Sequence, residues 1–215
     1  MPHQTWNIGV LMLPYFQFLD MAGPIDLIGN ISLQTIQAYN LPLPPHIVDN
    51  APIVNFYYIS STMDPVKATT GPMLAPTHTY DTCPQLDWLL VPGPDPQLKL
   101  TDKDKDFIRN TYESPALKGL MMICTGGFVI LHEGGKLDKK VKWVGDKRFN
   151  VDRGGRVPVW SSAGITAGMD LAYAWMEAQG VDRELLEMSK ITAEFEAKMD
   201  VPDKFESILE GVDYK

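Results

Sequence analysis

Cysteine is scarce in this chain of 215 residues: there are two, Cys83 and Cys124. A secreted scaffold held by disulfides needs more, so a reducing compartment is expected. Positive charge is also short. Lys and Arg number 19 against 27 Asp and Glu, for a formal net charge of -8. The densest basic run, Lys136, Lys139, Lys140 and Lys142, reads as solvated. Nucleic acid or an anionic membrane surface would need a basic patch, so neither partner is expected. Long apolar runs are missing as well. Residues 8–13 are apolar but too few for a membrane span or a signal segment, and no Lys or Arg precedes them. They read as a strand, and the expected location is the cytoplasm. Histidine is limited to His3, His46, His78 and His132, and no His, Cys, Asp or Glu set has metal-ligand spacing, so no metal is expected.

What is present alternates between apolar runs bounded by turn residues and helical patterns, which is how a parallel sheet with crossover helices reads. Strands are expected over 7–13, 53–60, 87–92 and 117–123, with shorter ones at 73–78, 141–144, 149–151 and 157–161. Ala22-Gly23-Pro24 reads as the opening of a helix with Pro24 in its first turn. Residues 40–52, rich in proline, read as loop. Thr101-Asp102-Lys103-Asp104 reads as a capped helix start, and 163–179 and 183–198 as amphipathic helices. No repeat or low-complexity segment interrupts the chain, so one domain over 1–215 is expected.

Ile123-Cys124-Thr125-Gly126-Gly127 carries the chemistry. A buried strand runs straight into it and a helical pattern leaves it. Such a turn exposes its residue at the carboxyl edge of a parallel sheet. The free N–H groups of a helix start favour a thiolate, and glycines after the cysteine admit close backbone. The arrangement is the cysteine counterpart of the serine nucleophile elbow. On this local pattern alone a buried structural cysteine explains Cys124 equally well. Cys83, ahead of a strand, reads as inert. The tryptophans read as packing residues, and the 11 methionines as adaptable core.

Four blocks carry a resemblance. They are Phe18-Leu19-Asp20-Met21-Ala22-Gly23-Pro24; Leu86-Asp87-Trp88-Leu89-Leu90-Val91-Pro92-Gly93; Cys124-Thr125-Gly126; and Ser161-Ser162-Ala163-Gly164-Ile165-Thr166-Ala167-Gly168-Met169-Asp170. In this order, across most of the chain, they resemble the DJ-1/PfpI superfamily, and within it the isonitrile hydratase-like branch. The resemblance implies an α/β flavodoxin-like three-layer sandwich, a mostly parallel sheet with helices on both faces, usually as a homodimer. It implies a small-molecule electrophile as partner and no cofactor. Cys124 becomes the nucleophile, Asp20 the acid facing it, and Thr125 the residue that replaces the histidine of peptidase-like members. Gly93 and Gly126 become candidate backbone donors to developing negative charge. Without that histidine a papain-type mechanism lacks its base, so proteolysis is not expected. Asp20 also reads as a cap of the helix near Pro24, an alternative the residues leave open.

The reaction implied is addition of Cys124 to the terminal carbon of an isonitrile, then hydration to an N-substituted formamide. Other readings are DJ-1-like glyoxalase chemistry on methylglyoxal, whose members carry glutamate at the acidic position, and a redox sensor or stress chaperone acting through oxidation of Cys124. A ligand-binding domain of the kind fused to transcription regulators is a further one, without a helix-turn-helix region here. Two features depart from the family. Pro94 stands where a glycine usually supplies an N–H. The interval from Cys124 to Ser162 is also short, which leaves open whether one β–α unit after the elbow is absent. Its absence would end the elbow helix at Gly134-Gly135 and place 141–144 in the vacated strand position.

Overall fold

The computed structural model describes residues 3–133, 136–137 and 144–203. Strand β1 (Thr5–Leu11) leads into helices α1 (Phe18–Asn30), α2 (Leu33–Ala38) and α3 (Pro45–Asn50), then β2 (Ile53–Ser60). Short strands β3 (Val66–Lys67), β4 (Met73–Leu74) and β5 (His78–Thr79) precede β6 (Trp88–Val91), α4 (Asp102–Glu113) and β7 (Gly119–Ile123). Next come α5 (Gly126–Leu131), β8 (His132–Glu133), β9 (Lys136–Leu137), β10 (Phe149–Asp152), β11 (Val159–Ser162), α6 (Thr166–Ala178) and α7 (Arg183–Thr192).

The main sheet has seven strands in the order β10-β11-β7-β6-β1-β2-β5. All neighbours in it are parallel except β10, which pairs antiparallel to β11. The fold is flavodoxin-like α/β. Its two faces follow from the period-2 alternation of strands. Trp88 and Leu90 of β6, and Met121 and Ile123 of β7, point into one core with α1, α6 and α7. Leu89 and Val91, and Leu120 and Met122, point into the other, with Phe107 and Ile108 of α4. This double burial is why these strands read as continuous apolar runs. Trp175 of α6 packs edge-on against Trp6 and Trp88, at centroid distances of 4.9 and 5.0 Å. Chain order reverses at β1: the chain builds outward through β2 and β5, then returns to β6 on the other flank.

Several expectations are corrected. Helix α1 begins at Phe18, so Pro24 lies inside it rather than in its first turn. Proline lacks only the N–H that would bond back to residue 20, so one missing bond is tolerated within a buried helix. The stretch 40–52 is not all loop. Pro45 opens α3, since its fixed φ suits a helix start. Helix α7 stops at Thr192 rather than running to residue 198; Glu194 takes a left-handed φ of 47° just beyond. The α4 start is as expected: Thr101 and Asp104 form a reciprocal capping box. Helix α5 ends at Leu131. Gly134-Gly135, residues 141–143 of the expected strand and Trp143 lie outside the described residues.

On the second face, Arg156 ties the β10–β11 turn to α4. Its guanidinium lies 5.2 Å from the Tyr112 ring centroid and donates to the Tyr112 carbonyl. Among the described residues no helix is long and apolar enough to cross a membrane.

Candidate active site

Four neighbouring parallel strands, β1, β6, β7 and β11, deliver their carboxyl ends to one place. It lies beside the reversal of strand order, where open α/β sheets carry their ligands. The segment after β7 supplies Cys124, that after β6 supplies Gly93, α1 supplies Asp20, and the turn after β11 supplies Gly164 and Ile165.

Cys124 sits at φ 56°, a left-handed conformation costly for a side chain-bearing residue. The turn is held by the Cys124 N–H donating to the Ser162 carbonyl at 3.1 Å. It also requires glycine next but one, because a methyl at Gly126 would lie 2.2 Å from the Val91 carbonyl oxygen. The Thr125 hydroxyl donates to the Pro94 carbonyl at 2.7 Å, tying the elbow to the loop after β6.

Asp20 is fully buried. Its Oδ2 accepts the Gly93 N–H at 3.1 Å and its Oδ1 accepts the Ile165 N–H at 3.0 Å. The Cys124 thiol lies in its electrostatic field. Burial pushes this carboxyl up to about 6, against the partial relief of those two N–H donors and the thiol. Asp20 is not a helix cap: Gln17 holds the N-cap position of α1, and the carboxylate faces away to other loops. The thiol is raised too, first by burial and then by the Asp20 charge, with the Thr125 N–H and hydroxyl offsetting part. This corrects the expectation that the helix start would depress Cys124. Helix α5 has only six residues, and a neighbouring carboxylate opposes what its N–H groups offer. The resting pair is therefore a thiol beside a carboxyl of near-neutral pKa. Transfer of the thiol proton to Asp20 is uphill at rest, so it has to be coupled to attack of the sulfur, and it needs no imidazole.

No family model matches the chain. It is 28% identical to an isonitrile hydratase of Pseudomonas putida over 189 residues, covering 82% of this chain and 73% of that protein. A THiJ/PfpI family protein from Pseudomonas syringae superposes with a TM-score of 0.65 at 19% identity, over 92% of this chain and 78% of that one. DJ-1beta of Drosophila melanogaster superposes at 0.63 with 11% identity, over 90% of this chain and 100% of that one. In fold the chain is similar to DJ-1/PfpI proteins, and in sequence to an isonitrile hydratase.

The residues singled out from sequence come together: Asp20 and Gly93 meet through a hydrogen bond, a methyl at Gly93 would touch Thr125 and Cys124, and Gly126 backs against Val91. Their parts differ from expectation in one respect. Gly93 directs its N–H to Asp20 rather than leaving it free for developing charge. Its lack of a side chain matters equally, since a methyl there would lie 2.7 Å from Thr125 Oγ1 and 2.8 Å from Asp20 Oδ2. Sequence reasoning missed Ile165 as a donor to Asp20. Its block was recognised, but nothing in a hydrophobic residue's identity announces a backbone N–H, here at a left-handed φ of 50°. Cys83 is remote from the site, and burial raises it to about 11, in keeping with an inert thiol. Among the described residues no group of His, Cys, Asp and Glu is arranged to hold a metal ion.

Proposed function

We propose that this protein hydrates isonitriles to N-substituted formamides, with Cys124 as nucleophile and Asp20 as the group that moves the proton. One observation carries the reading: the fully buried Asp20 carboxyl, held by the Gly93 and Ile165 N–H groups, lies against the Cys124 elbow, with Thr125 where a histidine base would stand. The similarity to the Pseudomonas putida isonitrile hydratase supports it.

The steps follow from that pair. Asp20 takes the thiol proton as Cys124 Sγ bonds to the terminal carbon of R–N≡C, and returns it to that carbon. The product is a thioimidate, R–N=CH–S–Cys124. Asp20, again a carboxylate, removes a proton from water as the oxygen attacks the same carbon and hands it to the nitrogen, giving R–NH–CH(OH)–S–Cys124. Collapse of the adduct breaks the C–S bond, leaving R–NH–CHO and the thiol. A carboxyl of pKa about 6 suits both duties, because its two protonation states are both populated near neutrality. Thr125, anchored to Pro94, acts as a positioning residue for the elbow. The resemblance extends the proposal to a homodimer and a cytoplasmic location.

The deciding assay incubates the purified protein with cyclohexyl isonitrile and follows N-cyclohexylformamide, beside Cys124→Ala and with methylglyoxal in parallel. Formamide that depends on Cys124 is expected. Formamide no faster than with Cys124→Ala ends the hydratase reading, and turnover of methylglyoxal alone transfers the site to glyoxalase chemistry.

A further inference from the structure

The space beside Cys124 Sγ is bounded unequally. On the Gly93 side it is closed, since a methyl there would press on Thr125 Oγ1, Asp20 Oδ2 and, at 3.0 Å, Cys124 Cβ. On the Gly164 side a methyl would lie 3.6 Å from Cys124 Sγ and within 4 Å of no other described atom outside the neighbouring residues. That is an ordinary contact distance, so no described residue fills the volume over the sulfur there. Gly164 also lacks the left-handed φ that would itself demand glycine. Its missing side chain therefore serves the volume, not the backbone.

Two aliphatic residues next in sequence to residues of the site are exposed. Ile165, next in sequence, is 39% exposed, and Leu19, beside Asp20, is 40% exposed. Large aliphatic side chains left this open next to a buried carboxylate offer surface to an apolar group and nothing to an anion. The net charge of -8 acts in the same sense.

We propose that Gly164 sets how bulky a group an electrophile can carry near the carbon bonded to Cys124 Sγ, and that Leu19 and Ile165 receive that group. The substrates are then neutral electrophiles bearing a bulky apolar group. For isonitriles this deepens the hydratase reading and rests on it, but the shape argument concerns any electrophile reaching the sulfur.

Gly164→Ala and Gly164→Val test it through two independent ratios. One is the rate of Cys124 alkylation by N-cyclohexylmaleimide relative to N-methylmaleimide. The other is kcat/KM for cyclohexyl isonitrile relative to methyl isonitrile. Crowding worth one or two methylenes in a pocket changes selection by roughly 10- to 200-fold. A fall of about threefold in both ratios is expected with alanine, and of tenfold or more with valine. Leu19→Asn should raise KM for the cyclohexyl substrate and leave that for the methyl substrate unchanged. Alkylation ratios that shift without turnover of any isonitrile keep Gly164's role and remove the hydratase reading. Isonitrile turnover with both ratios unchanged overturns the role of Gly164 and leaves the hydratase reading standing. If Gly164→Val does not fold, the alanine ratios decide by the same criterion.

Discussion

Asp20 Oδ1 accepts the backbone N–H of Ile165 at 3.0 Å across 145 positions of sequence. The same carboxylate holds Gly93 through its other oxygen and lies beside the thiol of Cys124. One buried side chain thus joins the ends of β1, β6, β7 and β11.

Replacing Asp20 by Asn removes the proton carrier while nearly keeping the shape. General acid–base groups contribute typically 10²–10⁴-fold, so turnover of an isonitrile should fall by about that range. The thiol titration of Cys124 should move down as the neighbouring negative charge is lost, with that of Cys83 unchanged. Site-resolved alkylation rates against pH measure both. An unmoved Cys124 titration would show that the carboxyl does not act on the sulfur.

The raised pKa of Asp20 has a thermodynamic consequence. Between about 3.8 and 6 the folded protein keeps a proton that the unfolded chain has released, so this group's contribution declines as pH rises through that window and is flat above it. The difference amounts to about 3 kcal/mol. Urea unfolding of the native chain and Asp20→Asn at pH 4 and pH 7 isolates it. The native chain should lose stability relative to the variant on going to pH 7, and parallel stability curves would contradict the burial argument.

Gly126→Ala should damage the elbow. The added methyl would stand 2.2 Å from the Val91 carbonyl oxygen, which belongs to a central strand and cannot retreat cheaply. Overpacking of this kind costs typically 1–3 kcal/mol. Lowered thermal stability together with altered Cys124 alkylation is expected. Gly127→Ala, where a methyl meets nothing within 4 Å, is the control and should leave both nearly unchanged.

Arg148 and Asp170 form an ion pair in which the carboxylate is fully buried, and Asp170 Oδ1 also accepts the Lys198 N–H at 2.7 Å. Arg148→Ala leaves that charge unpaired inside the protein, a loss of roughly 3–5 kcal/mol. Adding Asp170→Leu should restore part of it, because the uncompensated charge is then gone. Chemical denaturation of the single and double variants reads this directly.

Much of the fold was legible from sequence because its central strands are buried on both faces and so read as apolar runs, 87–92 and 117–123 falling on β6 and β7, while the β-branched and aromatic residues of 53–60 fall on β2. The elbow was legible for a related reason, since a cysteine followed by Thr-Gly-Gly at the end of such a run marks where a strand must turn. Element ends were less so. Pro24 read as a helix start because proline suits a first turn, yet burial of α1 against α6 carries the helix through it.

What sequence by itself determined was therefore which residues the fold gathers at the ends of the central strands: Cys124, Asp20 and Thr125, each marked by identity and place in an ordered block. Only the tertiary structure decided how they are placed and what surrounds them. The helix start after Cys124 argued for a depressed thiol, but burial and the Asp20 charge raise it. Desolvation depends on what the whole chain packs around a group, and the field at the sulfur on a carboxylate that arrives from another loop. Neither is written in the residues beside it. The same holds for Gly93 and Ile165, whose part is played by backbone N–H groups that every non-proline residue possesses, and whose direction the assembled sheet alone supplies.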